Sequence, residues 1–122
     1  MSFRIATFSI ALLLAPTAGQ ASGDVAKGKT VFARCAACHA IAAGQKRLGP
    51  SLAGIVGRKA GKEANFNYSP AMKSSLIVWN AKTLDAYITD PRAFMPGNRM
   101  VFGGLTNAAS RADLIAYLST LK

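Results

Sequence analysis

The stretch Cys35-Ala36-Ala37-Cys38-His39 decides how the rest of this chain is read. It is C-x-x-C-H, the spacing of covalent haem attachment. The spacing has a mechanical reason. Two thiols three residues apart on one helical turn can each add to a vinyl group of the same porphyrin edge, and His39 then lies under the iron as an axial ligand. Two plainer readings compete with this one. A redox dithiol sits in a βαβ context, and no such pattern flanks Cys35. A zinc site needs a fourth ligand, yet Cys35 and Cys38 are the only cysteines and His39 is the only histidine.

Outward from the motif, the chain is too short to do without such a staple. Its 122 residues allow one domain, and a hydrophobic fraction of 51% excludes a disordered chain. Part of that fraction belongs to one end. Ile10 to Ala15 reads Ile-Ala-Leu-Leu-Leu-Ala, preceded by Arg4 and followed by Gly19-Gln20-Ala21. A basic start, a short apolar run and a small-x-Ala site make a secretory signal peptide over residues 1–21. The run is too short to span a bilayer. Residues 22–122 then form the mature domain, exported to a compartment where disulfides form readily. A disulfide between Cys35 and Cys38 would close a tiny loop and stabilise little. A Gly-rich domain of this size needs a cofactor at its centre.

Helix signals fall at both ends, with long loops between. Asp24 can cap a helix whose inner face is Val25, Gly28, Phe32 and Cys35. Residues 44–61 read as loop. Ser69-Pro70 opens a short helix to about Ser75. Asn80 can cap another with Leu84, Tyr87 and Ile88 on one face, stopping before Pro91. Residues 96–104 read as loop, and Thr106 or Asn107 opens a last helix with a stripe of Leu114, Tyr117, Leu118 and Leu121. No stretch alternates long enough for a sheet. The expected class is all-α, with about half of the chain in loops packed against something central.

A single histidine excludes bis-histidine ligation. The sixth iron position is then methionine, a weak ligand or open. Within the mature chain the candidates are Met72, Met95 and Met100. A methionine is more often a core filler than a ligand, and spacing alone does not separate Met95 from Met100, which flank the same Pro96-Gly97 turn.

With these residues in view, the sequence resembles the class I c-type cytochromes, specifically the bacterial soluble cytochromes of the mitochondrial cytochrome c type, from about Gly23 to Lys122. The resemblance implies that the N- and C-terminal helices cross, with Gly28 and Phe32 meeting Leu114 and Tyr117, and that long loops wrap one covalent haem c. The segment Gly49-Pro50-Ser51-Leu52-Ala53-Gly54-Ile55-Val56-Gly57-Arg58 is similar to the family's segment on the histidine side. It implies that the Pro50 carbonyl accepts from the second nitrogen of His39. By the same likeness Arg58, Tyr68 and Trp79 surround a haem propionate, and Tyr87 packs near the sulfur ligand. Phe94-Met95-Pro96-Gly97-Asn98-Arg99-Met100-Val101-Phe102-Gly103-Gly104-Leu105 matches the stretch that carries the sixth ligand. In the mitochondrial type that ligand closes a Pro-Gly-x-Lys/Arg-Met run, which implies Met100; shorter cytochromes of the class use a Met directly before Pro, the place of Met95. Two positions depart from the family. Leu76 stands where relatives often have glycine, which would strain it if φ were positive there. Met72 stands where many have asparagine.

The formal net charge is +10, from 15 Lys+Arg against 5 Asp+Glu, and loss of the leader removes only Arg4. Arg34, Lys46, Arg47, Arg92 and Arg99 flank segments expected to border the haem edge, a docking face for an acidic redox partner. Nucleic acid is excluded as a partner by export and the lack of a reading motif; attraction to anionic lipid is secondary. The resulting expectation is a monomeric periplasmic one-electron carrier, not an enzyme. Its iron is ligated by His39 and Met100, and it exchanges electrons with membrane complexes such as an oxidase, a quinol–cytochrome c reductase or a photosynthetic centre. The alternatives are a haem enzyme or gas sensor with an open sixth site, or the haem subunit of a larger redox enzyme.

Overall fold

A computed structural model describes residues 23–122; the leader expected over residues 1–21 lies outside the described residues. Five α-helices follow in order: α1 Val25–Val31, α2 Pro70–Ser74, α3 Ala81–Thr89, α4 Pro91–Phe94 and α5 Ala108–Leu118. A 3₁₀ turn, Phe32–Arg34, extends α1. Among the described residues the nearest thing to a sheet is one isolated antiparallel bridge between Lys59 and Val78, so the all-α expectation holds.

Each helix starts where a side chain can satisfy its first free N–H groups. Asp24 accepts from the Lys27 N–H, and Ser69 accepts from Met72 ahead of Pro70. Asn80 and Thr83 form a reciprocal capping box. Asn107, rather than Thr106, caps α5 by accepting from the Ser110 N–H. Helix α3 stops at Thr89 as the pre-proline restriction requires. The short α4 was not foreseen: Asp90 accepts from the Ala93 N–H, and Pro91 occupies the first turn. A proline that ends one helix thus begins the next.

The first and last helices pack on each other most extensively. Two corrections apply to the inner face expected for α1. Val25 is 46% exposed, and Cys35 lies beyond the helix, because the backbone tightens into the 3₁₀ turn and shifts the register. Gly28 and Phe32 are buried at the crossing. The Phe32 and Tyr117 rings meet at 5.3 Å between centroids. A Cβ on Gly28 would come within 1.9 Å of the Asp113 carbonyl oxygen and 2.8 Å of the Tyr117 Cβ. The Asp24 N–H donates to the Asp113 carboxylate at 2.7 Å, tying the start of α1 to the same turn of α5. On the other side of α5, Arg111 donates to Asp85 of α3 at 2.7 Å and to the Leu105 and Thr106 carbonyls.

Gly28→Ala gains about 1 kcal/mol in helix propensity but forces the two helices apart. We expect a net loss of about 3 kcal/mol, within the range for overpacking, read as a lower urea midpoint at unchanged slope. A variant as stable as the wild type would refute the tight crossing.

Leu76 is 88% exposed and unstrained: among described non-glycine residues only Asn65 has positive φ. The turn before Ile77-Val78-Trp79 is therefore built without a left-handed residue. Met72 is half-buried and packs against the core. That core draws on Phe32, Leu114, Tyr117 and Leu118 at the crossing, Leu84, Tyr87 and Ile88 from α3, and Ile55, Trp79, Met95 and Leu105 from the connections.

Candidate haem site

The attachment motif follows directly on the 3₁₀ turn. The Cys35 N–H donates to the Phe32 carbonyl at 2.8 Å, and the His39 N–H donates to the Cys35 carbonyl at 2.9 Å. Residues 35–39 therefore make one further helical turn, which sets both thiols and the imidazole at one place. Both cysteines are free. Burial and the neighbouring Cys38 push the Cys35 thiol above its ordinary pKa. Among the described residues no group of three His, Cys, Asp or Glu is arranged to hold a metal ion.

The loop after the motif straps it in place. Arg47 donates to the Ala36 carbonyl at 2.6 Å, and the Gly49 N–H donates to the Cys38 carbonyl at 2.8 Å. His39 Nδ1 lies 2.7 Å from the Pro50 carbonyl oxygen. A carbonyl only accepts, so the proton is on Nδ1 and the lone pair on Nε2 is left for a metal. Burial lowers the imidazole pKa and favours this neutral form. Gly49 lies flat against the ring: a Cβ there would reach within 2.5 Å of His39 Cε1. A glycine is thus required at 49 for close approach to the histidine.

These residues form one wall of a cavity of about 690 Å³. All the residues singled out from the sequence as haem contacts line it: Cys35, Cys38, His39, Pro50, Arg58, Tyr68, Trp79, Tyr87 and Met100. Leu52, Ile55, Leu84, Ile88, Leu114 and Leu118 make its interior apolar. Met72 also lines it, whereas Met95 does not; Met95 is 6% exposed and packs in the core cluster. The structure therefore separates two methionines that spacing left equivalent.

The Met100 side is organised by Asn98, a residue the sequence reading passed over. Its amide donates to the Pro91 and Met95 carbonyls at 2.8 and 2.9 Å, and its Oδ1 accepts from the Met100 N–H at 2.9 Å. The Tyr87 hydroxyl lies 3.4 Å from the same Oδ1 and 3.8 Å from Met100 Sδ, so its one hydrogen is shared between two acceptors. Burial pushes the Tyr87 pKa up to about 12, which keeps that hydrogen in place. An asparagine after Pro-Gly is a turn residue by composition, a signal that marks the bend but not its contact with Met100.

The opposite polar corner holds Arg58, Tyr68 and Trp79. Arg58 donates to Glu63 Oε2 at 2.6 Å, to the Ala53 carbonyl at 3.2 Å and to the Ser51 carbonyl at 2.9 Å. These use three of its five N–H bonds. The Tyr68 oxygen accepts from the Glu63 N–H at 3.2 Å, which leaves its own hydrogen unassigned. Among the described residues the Trp79 indole N–H has no protein partner and no buried polar side-chain atom is orphaned, so this donor opens onto the cavity. Spare donors from three residues beside an apolar space suit a flat apolar group with carboxylate substituents. Two free thiols and an imidazole with a directed lone pair suit its covalent and metal attachment. The residues fit haem.

At the mouth stand Arg34, Lys46, Arg47 and Arg99, together with Leu48 and Val101, which are 84% and 92% exposed. One expected member of the basic set is absent from this rim. Arg92 lines instead an adjoining depression with Asp90, Val101, Phe102 and Gly103, which borders the mouth at Val101.

Comparison with known proteins agrees with this geometry. The Cytochrome c family model matches residues 25–122. The chain is 44% identical over 120 residues to cytochrome c2 of Rhodomicrobium vannielii, covering 98% of this chain and 95% of that one. It is 50% identical over 97 residues to cytochrome c2 of Rhodoplanes tepidamans, covering 79% and 91%. Among solved structures, cytochrome cH from Methylobacterium extorquens superposes with a TM-score of 0.76 at 39% identity, covering 80% of this chain and 99% of that one. The chain therefore belongs to the cytochrome c family, as a class I c-type electron carrier with one covalently bound haem c.

Proposed function

We propose that this cytochrome is a periplasmic one-electron carrier, exported by the leader over residues 1–21 and docking through the cavity mouth on acidic faces of membrane redox complexes. The observation that carries this reading is the mouth itself: two nearly fully exposed aliphatic side chains, Leu48 and Val101, amid Arg34, Lys46, Arg47 and Arg99. When bound, the haem supplies an Fe(III)/Fe(II) couple. The chain supplies the rest. Cys35 and Cys38 hold the group, Pro50 and Gly49 orient His39, and Asn98 and Tyr87 hold Met100 toward the same cavity. Arg58, Tyr68 and Trp79 offer donors to the carboxylates, and the aliphatic lining keeps water out. An apolar surround favours the less charged ferrous state, as does a thioether ligand. Export rests on the residue pattern of the leader, and the choice among oxidase, reductase and photosynthetic centre rests on the family likeness.

The charge has a kinetic consequence. The Debye length falls from about 30 Å at 0.01 M salt to about 3 Å at 1 M, so attraction between this face and an anion is lost as salt rises. Oxidation by ferricyanide, followed by stopped flow, should slow about tenfold or more across that range. Arg99→Glu or Lys46→Glu should slow it further at low salt. Arg92→Glu and Lys122→Glu should matter less, since neither residue lines the mouth. Equal losses at all four positions would mean that net charge, rather than this face, governs encounter.

A further inference from the structure

Behind the polar corner of the haem cavity, bonded to two residues that line it, lies a carboxylate that neither the attachment chemistry nor docking uses. Glu63 belongs to the loop between Gly61 and Tyr68, and it touches the corner twice. Its Oε2 accepts from Arg58 Nη1 at 2.6 Å, and its backbone N–H donates to the Tyr68 hydroxyl at 3.2 Å. The side chains of the pair are only 15% and 22% exposed, so solvent screens them incompletely. Arg58 is fixed independently by the Ser51 and Ala53 carbonyls. Glu63 therefore meets an arginine already held at the cavity wall, rather than positioning it from solvent.

We propose that Glu63 is a charge-setting residue for the haem: it shares Arg58 with the haem carboxylates and lowers the reduction potential. The inference rests on the haem occupying the cavity as proposed above. A negative charge beside the cavity disfavours the state that has gained an electron. It also offsets the Arg58 guanidinium, the cation that lines this corner and would otherwise favour the ferrous state. Both effects have the same sign. Neither Glu63 nor its sequence neighbour Lys62 lines the cavity, but Glu63 is paired at 2.6 Å with Arg58, which does, so its charge acts on the corner through that arginine.

The test is a redox titration of the holoprotein, followed by its visible spectrum, for wild type, Glu63→Gln and Glu63→Asp, with the urea midpoint measured in parallel. Gln keeps the shape and an acceptor oxygen but removes the charge. Asp keeps the charge on a shorter arm. At one ambient potential, Glu63→Gln should raise the ratio of reduced to oxidised protein by about threefold or more, the scale of one partly screened unit charge. Glu63→Asp should stay nearer the wild-type ratio even where its urea midpoint falls. An unchanged ratio in Glu63→Gln, or equal shifts in both variants, would overturn the proposal and leave Glu63 as a loop tether only. The wild-type spectrum reports separately whether haem is bound with a methionine ligand, so failure of that reading is not confused with failure of this one.

Discussion

The double substitution Cys35→Ala with Cys38→Ala is expected to yield a chain without a cooperative thermal or urea transition. The reason lies in the size of the hole at the centre of the fold. A cavity of about 690 Å³ with no haem in it leaves its apolar lining hydrated or forces it to collapse, at a cost on the scale of the ~5–15 kcal/mol that stabilises a typical domain. Local structure cannot compensate. The longest helix among the described residues, α5, has 11 residues and α3 has 9, below the ~12–15 at which an isolated helix becomes even marginal in water. Circular dichroism of the variant should show little helix, with no sigmoidal melt. A native-like melt in the haem-free chain would overturn the view that the cofactor is its core.

Met100→Ala is expected to abolish the weak near-infrared iron–sulfur charge-transfer band of the ferric protein. The reduction potential should fall by a sizeable part of the ~0.8 V that axial ligands span. Met95→Ala is the informative control. Met95 is buried in the core cluster and does not line the cavity. Its truncation should cost about 2–5 kcal/mol in stability while leaving the band in place. Loss of the band in Met95→Ala and its retention in Met100→Ala would transfer the ligand to Met95.

Much of this protein is written in short stretches of sequence. The motif of residues 35–39 carries its own geometry, because helical spacing alone sets two thiols and a histidine together. The N-caps Asp24, Ser69 and Asn80, with the proline after Ser69, are local chemistry, and their helices begin where those residues stand. Gly28 and Phe32 spaced against Leu114 and Tyr117 foretold the crossing through family likeness, and the 5.3 Å ring contact bears it out. The helix α4 was missed because Pro91 carries two local meanings at once, and only the Asp90 side chain reaching Ala93 decides between them.

By itself, then, the sequence determined the attachment chemistry, the helical class and the start signals of α1, α2 and α3, all of which depend on neighbours within about one turn. Only the tertiary structure decided that Met100 and not Met95 lines the cavity, that Asn98 ties the loop of Met100 to α4, and that Glu63 meets Arg58. Each of these joins side chains through loop paths. In such loops, hydrogen bonds and packing against the central cavity, rather than a repeating spacing, choose the direction in which a side chain points.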